Sequence, residues 1–167
     1  DPRTNNSFIA INRLLLMEEV IFRSLKEFEV NGKTWPAGTF VIVSTHETHE
    51  KIDSLAKKLG LSIHGLKETS NIVLASLTLP RVGVYSPWGA ASNEGWTRWL
   101  LEQYEFPYTQ LRDPRIRSGK LRGEFDVLIL PDATYNEIVR GFSPGTMPSK
   151  YVGGMTAVGV EQIKKFV

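Results

Sequence analysis

Cysteine is absent from this sequence of 167 residues. Its absence excludes disulfide bonds, thiolate metal sites and a cysteine nucleophile together. It does not identify a compartment, because a chain without cysteine is tolerated in oxidising and in reducing surroundings. Any chemistry of this chain must therefore use hydroxyl, carboxyl, imidazole, amide or basic groups.

Long apolar runs are also missing. The longest, at residues 72–75 and 127–131, fall far short of the roughly 20 residues that a membrane-spanning helix needs. The first residues, DPRTNNSF, lack the basic and apolar regions of a signal peptide, so a secretion signal is absent either from the natural protein or from this sequence. A hydrophobic fraction of 41% is ordinary for a folded protein. We predict a folded chain without a membrane span.

A strong excess of one charge is lacking as well. Lysine and arginine number 20 against 18 aspartate and glutamate residues, and a net charge of +2 is too small to favour nucleic acid or an anionic membrane as a partner. One segment is locally basic, without interleaved aromatic residues for base stacking; it contains Arg112, Arg115, Arg117, Lys120 and Arg122. We interpret it as a solvated connection between elements, with an anion-binding patch as the alternative.

The first half of the chain, residues 1–79, predicts a small α/β unit that contains a β-hairpin. Apolar periodicity predicts a helix over residues 7–19, capped by Asn6 or Ser7. The dipeptide NG at positions 31–32 lies between two apolar runs and predicts a type I′ turn, because both residues tolerate positive φ.

A second helix is expected in this half between Thr45, as the N-terminal cap, and Gly60, as the C-terminal cap. Strand-like apolar runs surround it. We expect strands at residues 20–25, 28–30, 33–35, 39–43, 61–66 and 72–79, with a polar linker at 67–71.

The second half, residues 80–167, is organised around the stretch 81–104. It predicts a short buried strand at 81–85, a loop, and an amphipathic helix that begins at Ser92 or Asn93. The apolar stripe of this helix is expected to lie on a sheet; it consists of Trp96, Trp99, Leu100 and Tyr104.

Further strands are expected at residues 107–111 and 124–131. The second of these is apolar without alternation from Val127 to Leu130, which predicts a strand that is covered on both faces. The remaining segments are expected to be helical at 113–119, 134–140 and 156–167, with a glycine- and proline-rich loop at 141–154.

Alternating strands and helices predict a three-layer α/β fold, with a mostly parallel sheet flanked by helices, as in flavodoxin-like or glutamine amidotransferase-like domains. The sequence stops inside an apolar helical pattern, without glycine, asparagine or proline to end the helix. We therefore expect the natural protein to continue past Val167, and the unit 80–167 to be truncated at its C-terminus.

Four polar or aromatic residues are expected at the carboxyl ends of the parallel strands, where ligands bind in open α/β sheets: Ser86, Trp88, Glu94 and Asp132. They could line one cleft. Alternatively, Glu94 interacts with the helix dipole and Asp132 caps the following turn. Ser86 lacks the Gly-x-Ser-x-Gly setting of a nucleophile elbow, and no histidine follows it in the chain.

The run HETHE at positions 46–50 contains two histidines three residues apart. A zincin pattern requires histidines four apart, and position 50 is Glu50. We interpret the run as an exposed helix start, with adventitious metal binding as the alternative. His64 is too isolated for a catalytic assignment, and Gly83, Gly89 and Gly95 do not form a dinucleotide-binding fingerprint.

With these segments in hand, the chain resembles the C-terminal region of large bacterial zinc carboxypeptidase-like proteins of the carboxypeptidase A type. That region is similar to class I glutamine amidotransferase domains. The most specific segments are RVGVY at 81–85 with Pro87 and Trp88, EGWTRWLLEQY at 94–104, FDVLILPD at 125–132, GTMP at 145–148 and YVGG at 151–154, and residues 12–15 and 36–40 also fit.

The resemblance implies a peptidase zinc site and catalytic glutamate in a preceding domain of the parent protein, with no cofactor in this region. It also implies a secreted or periplasmic location. An amidotransferase would need a cysteine elbow followed by a histidine and a glutamate. This chain has no cysteine, so glutaminase activity is not expected.

Three functional hypotheses follow. In the first, the chain is a non-catalytic accessory region of a metallocarboxypeptidase-like protein and contacts that protein's own peptidase domain. In the second, the cleft of Ser86, Trp88, Glu94 and Asp132 binds a peptide or small molecule or hydrolyses it. In the third, exposed aromatic side chains mediate oligomerisation.

Overall fold

The computed structural model describes residues 1–69, 71–89 and 92–167. They form two compact units, one of residues 1–79 with 104–106 and one of residues 80–103 with 107–167. The fold is mixed α/β with three small sheets, and none of the described sheets closes into a barrel. Within the same ranges, no helix is long and apolar enough to cross a membrane.

The first unit combines two helices with an antiparallel sheet and a separate hairpin. Its elements are α1 (Asn5–Leu16), β1 (Ile21–Ser24), β2 (Phe28–Val30), β3 (Lys33–Trp35), β4 (Phe40–Ile42), α2 (His46–Leu59) and β5 (Leu74–Leu77). The sheet has the order β4-β1-β5, and β1 pairs antiparallel with both neighbours. Its core packs α1 and α2 against β1, through Ile11, Leu14, Ile21, Ile52 and Leu55.

Local signals for turns and caps are confirmed in this unit. The hairpin of β2 and β3 turns at Asn31 and Gly32, whose φ angles are 54° and 69°. Thr45 caps α2 by accepting a hydrogen bond from the backbone N–H of Thr48 at 3.2 Å, and Gly60 ends the helix in the left-handed conformation.

Two predictions for the first unit are wrong. Residues 61–66 form no strand, and the described antiparallel sheet consists of β4, β1 and β5 alone. The helix α1 begins earlier than expected, after Thr4, and no side chain caps it. Position 70 of the expected linker lies outside the described residues.

The second unit is built on a three-stranded parallel sheet. Its strands and helices are β6 (Val82–Tyr85), α3 (Ser92–Gln103), β7 (Tyr108–Leu111), α4 (Asp113–Arg117), α5 (Leu121–Glu124), β8 (Val127–Ile129) and α6 (Thr156–Phe166), with a π-helical segment at Asn136–Arg140 and a 3₁₀ turn at Ser149–Tyr151. The sheet order is β7-β6-β8. Both pairs are parallel, which confirms the expected α/β character of this half.

The central strand β6 is buried along its whole length. A Cβ atom added at Gly83 would lie 2.6 Å from Leu111 Cδ1 and 2.9 Å from Leu128 Cδ2, so glycine allows these side chains to meet over the strand. The core below it consists of Tyr85, Leu111, Ile116, Leu121, Phe125 and Met155. This packing fixes the position of β6.

The aromatic stripe of α3 does not lie on the sheet, which corrects the expectation. Trp96 is 64% exposed and Trp99 is 50% exposed, while Glu94 is the buried residue of this helix. Successive helical residues are rotated by about 100°, so Trp96 and Trp99 lie roughly 200° and 140° around the helix from Glu94. Burying Glu94 therefore turns both tryptophans towards solvent.

The strand β8 is also less covered than expected. Val127 and Leu130 are both exposed, although the sequence is apolar from one to the other. The reason is topological: β8 is an edge strand of the described sheet, so only one of its sides has a neighbouring strand.

Candidate functional site

The carboxyl ends of the three parallel strands meet at one edge of the sheet, which we name the carboxyl edge. Ser86 follows β6 directly, Arg112 follows β7, and Asp132 lies three residues after β8. The helix α3 begins at the same edge and brings Glu94 to it. Positions 90 and 91 of the loop that was expected to carry a site lie outside the described residues.

A partly buried polar network connects two of the four expected residues. The side chain of Gln110 donates to Ser86 Oγ at 3.1 Å and to Glu94 Oε1 at 3.3 Å, and Arg98 Nε donates to the same Glu94 oxygen at 2.7 Å. Ser86 is fully buried and Glu94 is 3% exposed. We call these four residues the Glu94 network.

The Glu94 network determines the charge of the carboxylate. Burial opposes ionisation of Glu94, but hydrogen bonds from Arg98, Gln110 and Ser86 outweigh it, and the pKa of Glu94 lies below its ordinary value. The carboxylate is therefore ionised at neutral pH. Its charge is balanced by the Arg98 guanidinium one helical turn away.

Trp88 belongs to a second cluster at the carboxyl edge, which we call the Trp88 cluster. The Arg112 guanidinium lies 4.2 Å from the centroid of the Trp88 ring and donates to the carbonyl oxygens of Ser86 and Pro87 at 3.0 and 3.2 Å. The Tyr151 ring packs edge-on against Trp88, with 4.8 Å between centroids. Trp88, Arg112 and Tyr151 are half-buried, so this cluster presents rings and a cation partly to solvent.

Asp132 is exposed and separate from the Glu94 network. Asn93 Nδ2 donates to its backbone oxygen at 3.3 Å and to its side-chain Oδ2 at 3.4 Å, which ties the loop after β8 to the start of α3. Asp132 does not cap the following turn. Thr134 and Glu137 do so, since each side chain accepts a hydrogen bond from the backbone N–H of the other.

The structure thus brings Ser86 and Glu94 together, links Trp88 to the Ser86 backbone through Arg112, and holds Asp132 on Asn93. The sequence analysis missed Gln110, Arg98 and Tyr151. The ion pair of Arg98 with Glu94 could have been predicted from the sequence, because the two residues are four positions apart on one helix face. The contact of Gln110 could not have been predicted, because it depends on the strand register that places Gln110 opposite Val84.

A second buried polar pair, also missed, lies beneath this edge. The Tyr85 hydroxyl donates to Asp113 Oδ1 at 2.6 Å, and both residues are buried. Burial raises the pKa of Asp113 above its ordinary value, although the hydrogen bond from Tyr85 acts in the opposite direction. The pair lies among core side chains of the second unit, which indicates a structural role.

The basic segment is not simply a solvated connection. Arg112, Arg115 and Arg117 are half-buried and donate to backbone carbonyl oxygens, those of Ser86, Gly119 and Gly154 respectively. Lys120 and Arg122 are exposed, as expected. Three of the five cations are therefore used to join loops within the second unit.

The histidine run lies at an exposed helix start, as predicted. His46 and His49 face Glu50 and Asp53 at 4.0 and 3.8 Å, each one turn along α2. In the described ranges, no group of three or more histidine, aspartate or glutamate side chains could hold a metal ion.

The chain was compared with known protein families, curated proteins and solved structures. No protein-family model, no curated protein and no solved structure matches the chain.

Proposed function

We propose that this chain is a non-catalytic accessory region of a zinc metallocarboxypeptidase-like protein, in which it contacts the peptidase domain or shapes access to it. The zinc site and the peptidase activity would belong to a preceding domain. The second unit would have the three-layer arrangement of a glutamine amidotransferase-like domain, and the parent protein would be secreted or periplasmic. The segments described for the resemblance support this family assignment.

The Glu94 network is the observation that carries the non-catalytic part of the proposal. A serine nucleophile needs an accessible hydroxyl and a base within reach. Ser86 is fully buried, and Glu94 beside it is ion-paired with a lowered pKa, which makes it a weak base. The polar atoms at this edge are used to hold α3 on the sheet.

The histidines of this chain do not fit a peptidase zinc site. Zinc in such sites takes three protein ligands and a water molecule. His46 and His49 each lie beside a carboxylate of their own helix, and His64 packs against Trp35 instead of approaching them. No step of a zinc mechanism is therefore assigned to these residues.

The test uses the 167-residue chain, purified and loaded with excess zinc before dialysis. We expect less than stoichiometric zinc by elemental analysis and no release of C-terminal residues from peptides that carry a free carboxyl terminus. Far-UV circular dichroism establishes that the chain is folded during the assay. Stoichiometric zinc, or hydrolysis that a chelator abolishes, would contradict the proposal.

The family assignment has its own test in the open reading frame that encodes this chain. We expect an upstream domain with a His-x-x-Glu pair and a distant histidine as the third zinc ligand. A reading frame without such a domain would overturn the peptidase association, whatever the zinc measurement shows.

The Trp88 cluster favours a second candidate function, the binding of a peptide or small molecule at the carboxyl edge. Its rings and its cation are only half-buried. In this case Asp132→Asn, at an exposed position of the same carboxyl edge, should abolish saturable ligand binding and leave the melting temperature nearly unchanged. Unaltered binding by that variant would reject this use of Asp132.

A further inference from the structure

The first unit contains a cavity of about 590 Å³ that is partly open to solvent and is lined by α1, α2, the antiparallel sheet, the hairpin and residues 61–66. Protein interiors are normally close-packed, with few voids larger than a water molecule. Small-molecule sites, in contrast, typically have volumes of roughly 300–1,000 Å³. The cavity is therefore large enough for a small-molecule ligand.

The inner wall of this cavity is apolar. Leu14, Trp35, Ile52 and Leu55 line it, and all four side chains are buried in the unit. Half-buried aromatic side chains extend the wall towards the opening, and they are Phe22, Phe28 and Phe40. Such a wall favours a molecule that buries rings or branched hydrocarbon, since apolar area removed from water contributes about 25 cal/mol per Å².

The carboxylates that line the cavity, those of Asp1 and Asp53, are already paired. His49 lies 3.8 Å from Asp53, and the Asp1 carboxylate accepts from Arg3 at 2.6 Å. His64 packs edge-on against Trp35, with 4.9 Å between ring centroids, and its Nε2 lies 3.5 Å from Lys33 Nζ. Both carboxylates that line the cavity therefore have a partner, so neither is left unpaired for a cationic ligand.

Residues 61–66 provide a route into the cavity. Leu61, Ile63 and Leu66 line it, and this segment lies outside the helices and strands, although the Leu61 N–H still donates to the Ala56 carbonyl at the end of α2. Segments with few backbone hydrogen bonds open at a lower free energy than sheet or helix segments. Ile63 is 51% exposed and marks the outer end of this route.

We propose that the first unit binds a small, uncharged, ring-containing apolar molecule in this cavity. This function is separate from the accessory role proposed above and depends only on the first unit. The volume, the aromatic and aliphatic wall and the paired charges together define this ligand class.

The test uses N-phenyl-1-naphthylamine, a neutral fluorescent probe with two aromatic ring systems. We expect its fluorescence to rise in a saturable manner with a stoichiometry of one per chain. Ala56 lines the cavity from α2, so Ala56→Phe should fill part of it and weaken binding at least about tenfold, equivalent to about 1.4 kcal/mol. Ser54→Phe is the matched control, because Ser54 is an exposed residue of the same helix that does not line the cavity.

A second measurement on the unmodified chain keeps the test independent of how Ala56→Phe folds. In methyl NMR spectra, the probe should shift the resonances of Ile52 and Leu55 and leave those of Val84 and Ile116, in the second unit, unchanged. Absence of saturable fluorescence, equal binding by both phenylalanine variants, or shifts spread over both units would each overturn the proposal.

Discussion

The helices α2 and α3 have similar apolar periodicity but opposite orientations relative to their cores. In α2 the apolar face is inside, with Ile52 and Leu55 buried. In α3 the aromatic face is outside, and a carboxylate, Glu94, is the buried group. Periodicity therefore predicts that a helix forms, whereas the tertiary contacts available to each face decide which face is buried.

The energetic reason differs between the two helices. Burying the α2 side chains is favourable because it removes apolar surface from water. Burying Glu94 is unfavourable unless the charge is paired and hydrogen-bonded, and Arg98, Gln110 and Ser86 provide those contacts. The orientation of α3 thus depends on polar contacts from three places. Arg98 lies on α3 itself, Gln110 lies near the end of β7, and Ser86 follows β6.

The largest expected effect tests the apolar side of this comparison. Leu55→Ala should lower the free energy of unfolding by about 2–5 kcal/mol, because it removes buried methyl groups and enlarges a cavity. Chemical denaturation monitored by circular dichroism measures the change. Lys58→Ala, at an exposed position of the same helix, is the control and should change stability little. A loss for Leu55→Ala no greater than that of the control would break the comparison.

A smaller effect tests the polar side. Glu94→Gln should destabilise the protein by about 1–3 kcal/mol, because Arg98 and Gln110 lose a charged acceptor. The exposed ion pair of Glu161 with Lys164 gives the control, and Glu161→Gln should have no measurable effect on thermal melting. An unchanged melting temperature for Glu94→Gln would instead favour a carboxylate held for ligand binding.

The pH dependence of stability sharpens the contrast between buried and exposed carboxylates. Arg81 lowers the pKa of Asp126 from 3.8 to about 2, so this pair stabilises the fold above pH 3.8 and the effect is lost as the pH falls towards about 2. Asp126→Asn should therefore flatten the acid limb of the stability curve over that interval. The effect is expected to be modest, because both side chains are about half exposed. An identical acid limb in the variant would show that the pair contributes nothing.

The smallest expected effect concerns the exposed face of α3. Trp99→Ala should change the free energy of unfolding by less than about 1 kcal/mol, although truncation of a buried tryptophan typically costs about 3–5 kcal/mol. Trp99 does contact Trp96, with 5.8 Å between ring centroids, and this pair gives the small residual effect. Equilibrium denaturation distinguishes these values, and a loss of several kcal/mol would mean that α3 packs through its aromatic stripe after all.

Features set by local chemistry could be predicted from the sequence. Asn31 and Gly32 fix the hairpin turn, and Thr45 and Gly60 fix the ends of α2, because each requires only neighbouring backbone groups. The position of Ser86 after a buried strand was readable for the same reason. These predictions needed no knowledge of distant residues.

Features set by distant partners could not be predicted. Residues 61–66 have an apolar strand-like sequence, but they pair with no strand of the described sheets. The burial of Glu94 depends on Gln110, which reaches it only through the pairing of β7 with β6. Strand order and register therefore decided both outcomes, and neither is encoded in local periodicity.

The pKa of Glu94 tests most directly whether the carboxyl edge is held by a satisfied ion pair. A carbon-detected NMR titration of the Glu94 carboxyl group would measure it in the folded chain. The structure predicts a pKa below that of an unperturbed glutamate, because hydrogen bonds from Arg98, Gln110 and Ser86 outweigh the effect of burial. A pKa above the ordinary value would contradict the account, since it would identify a protonatable carboxyl group of the kind that general acid–base catalysis uses.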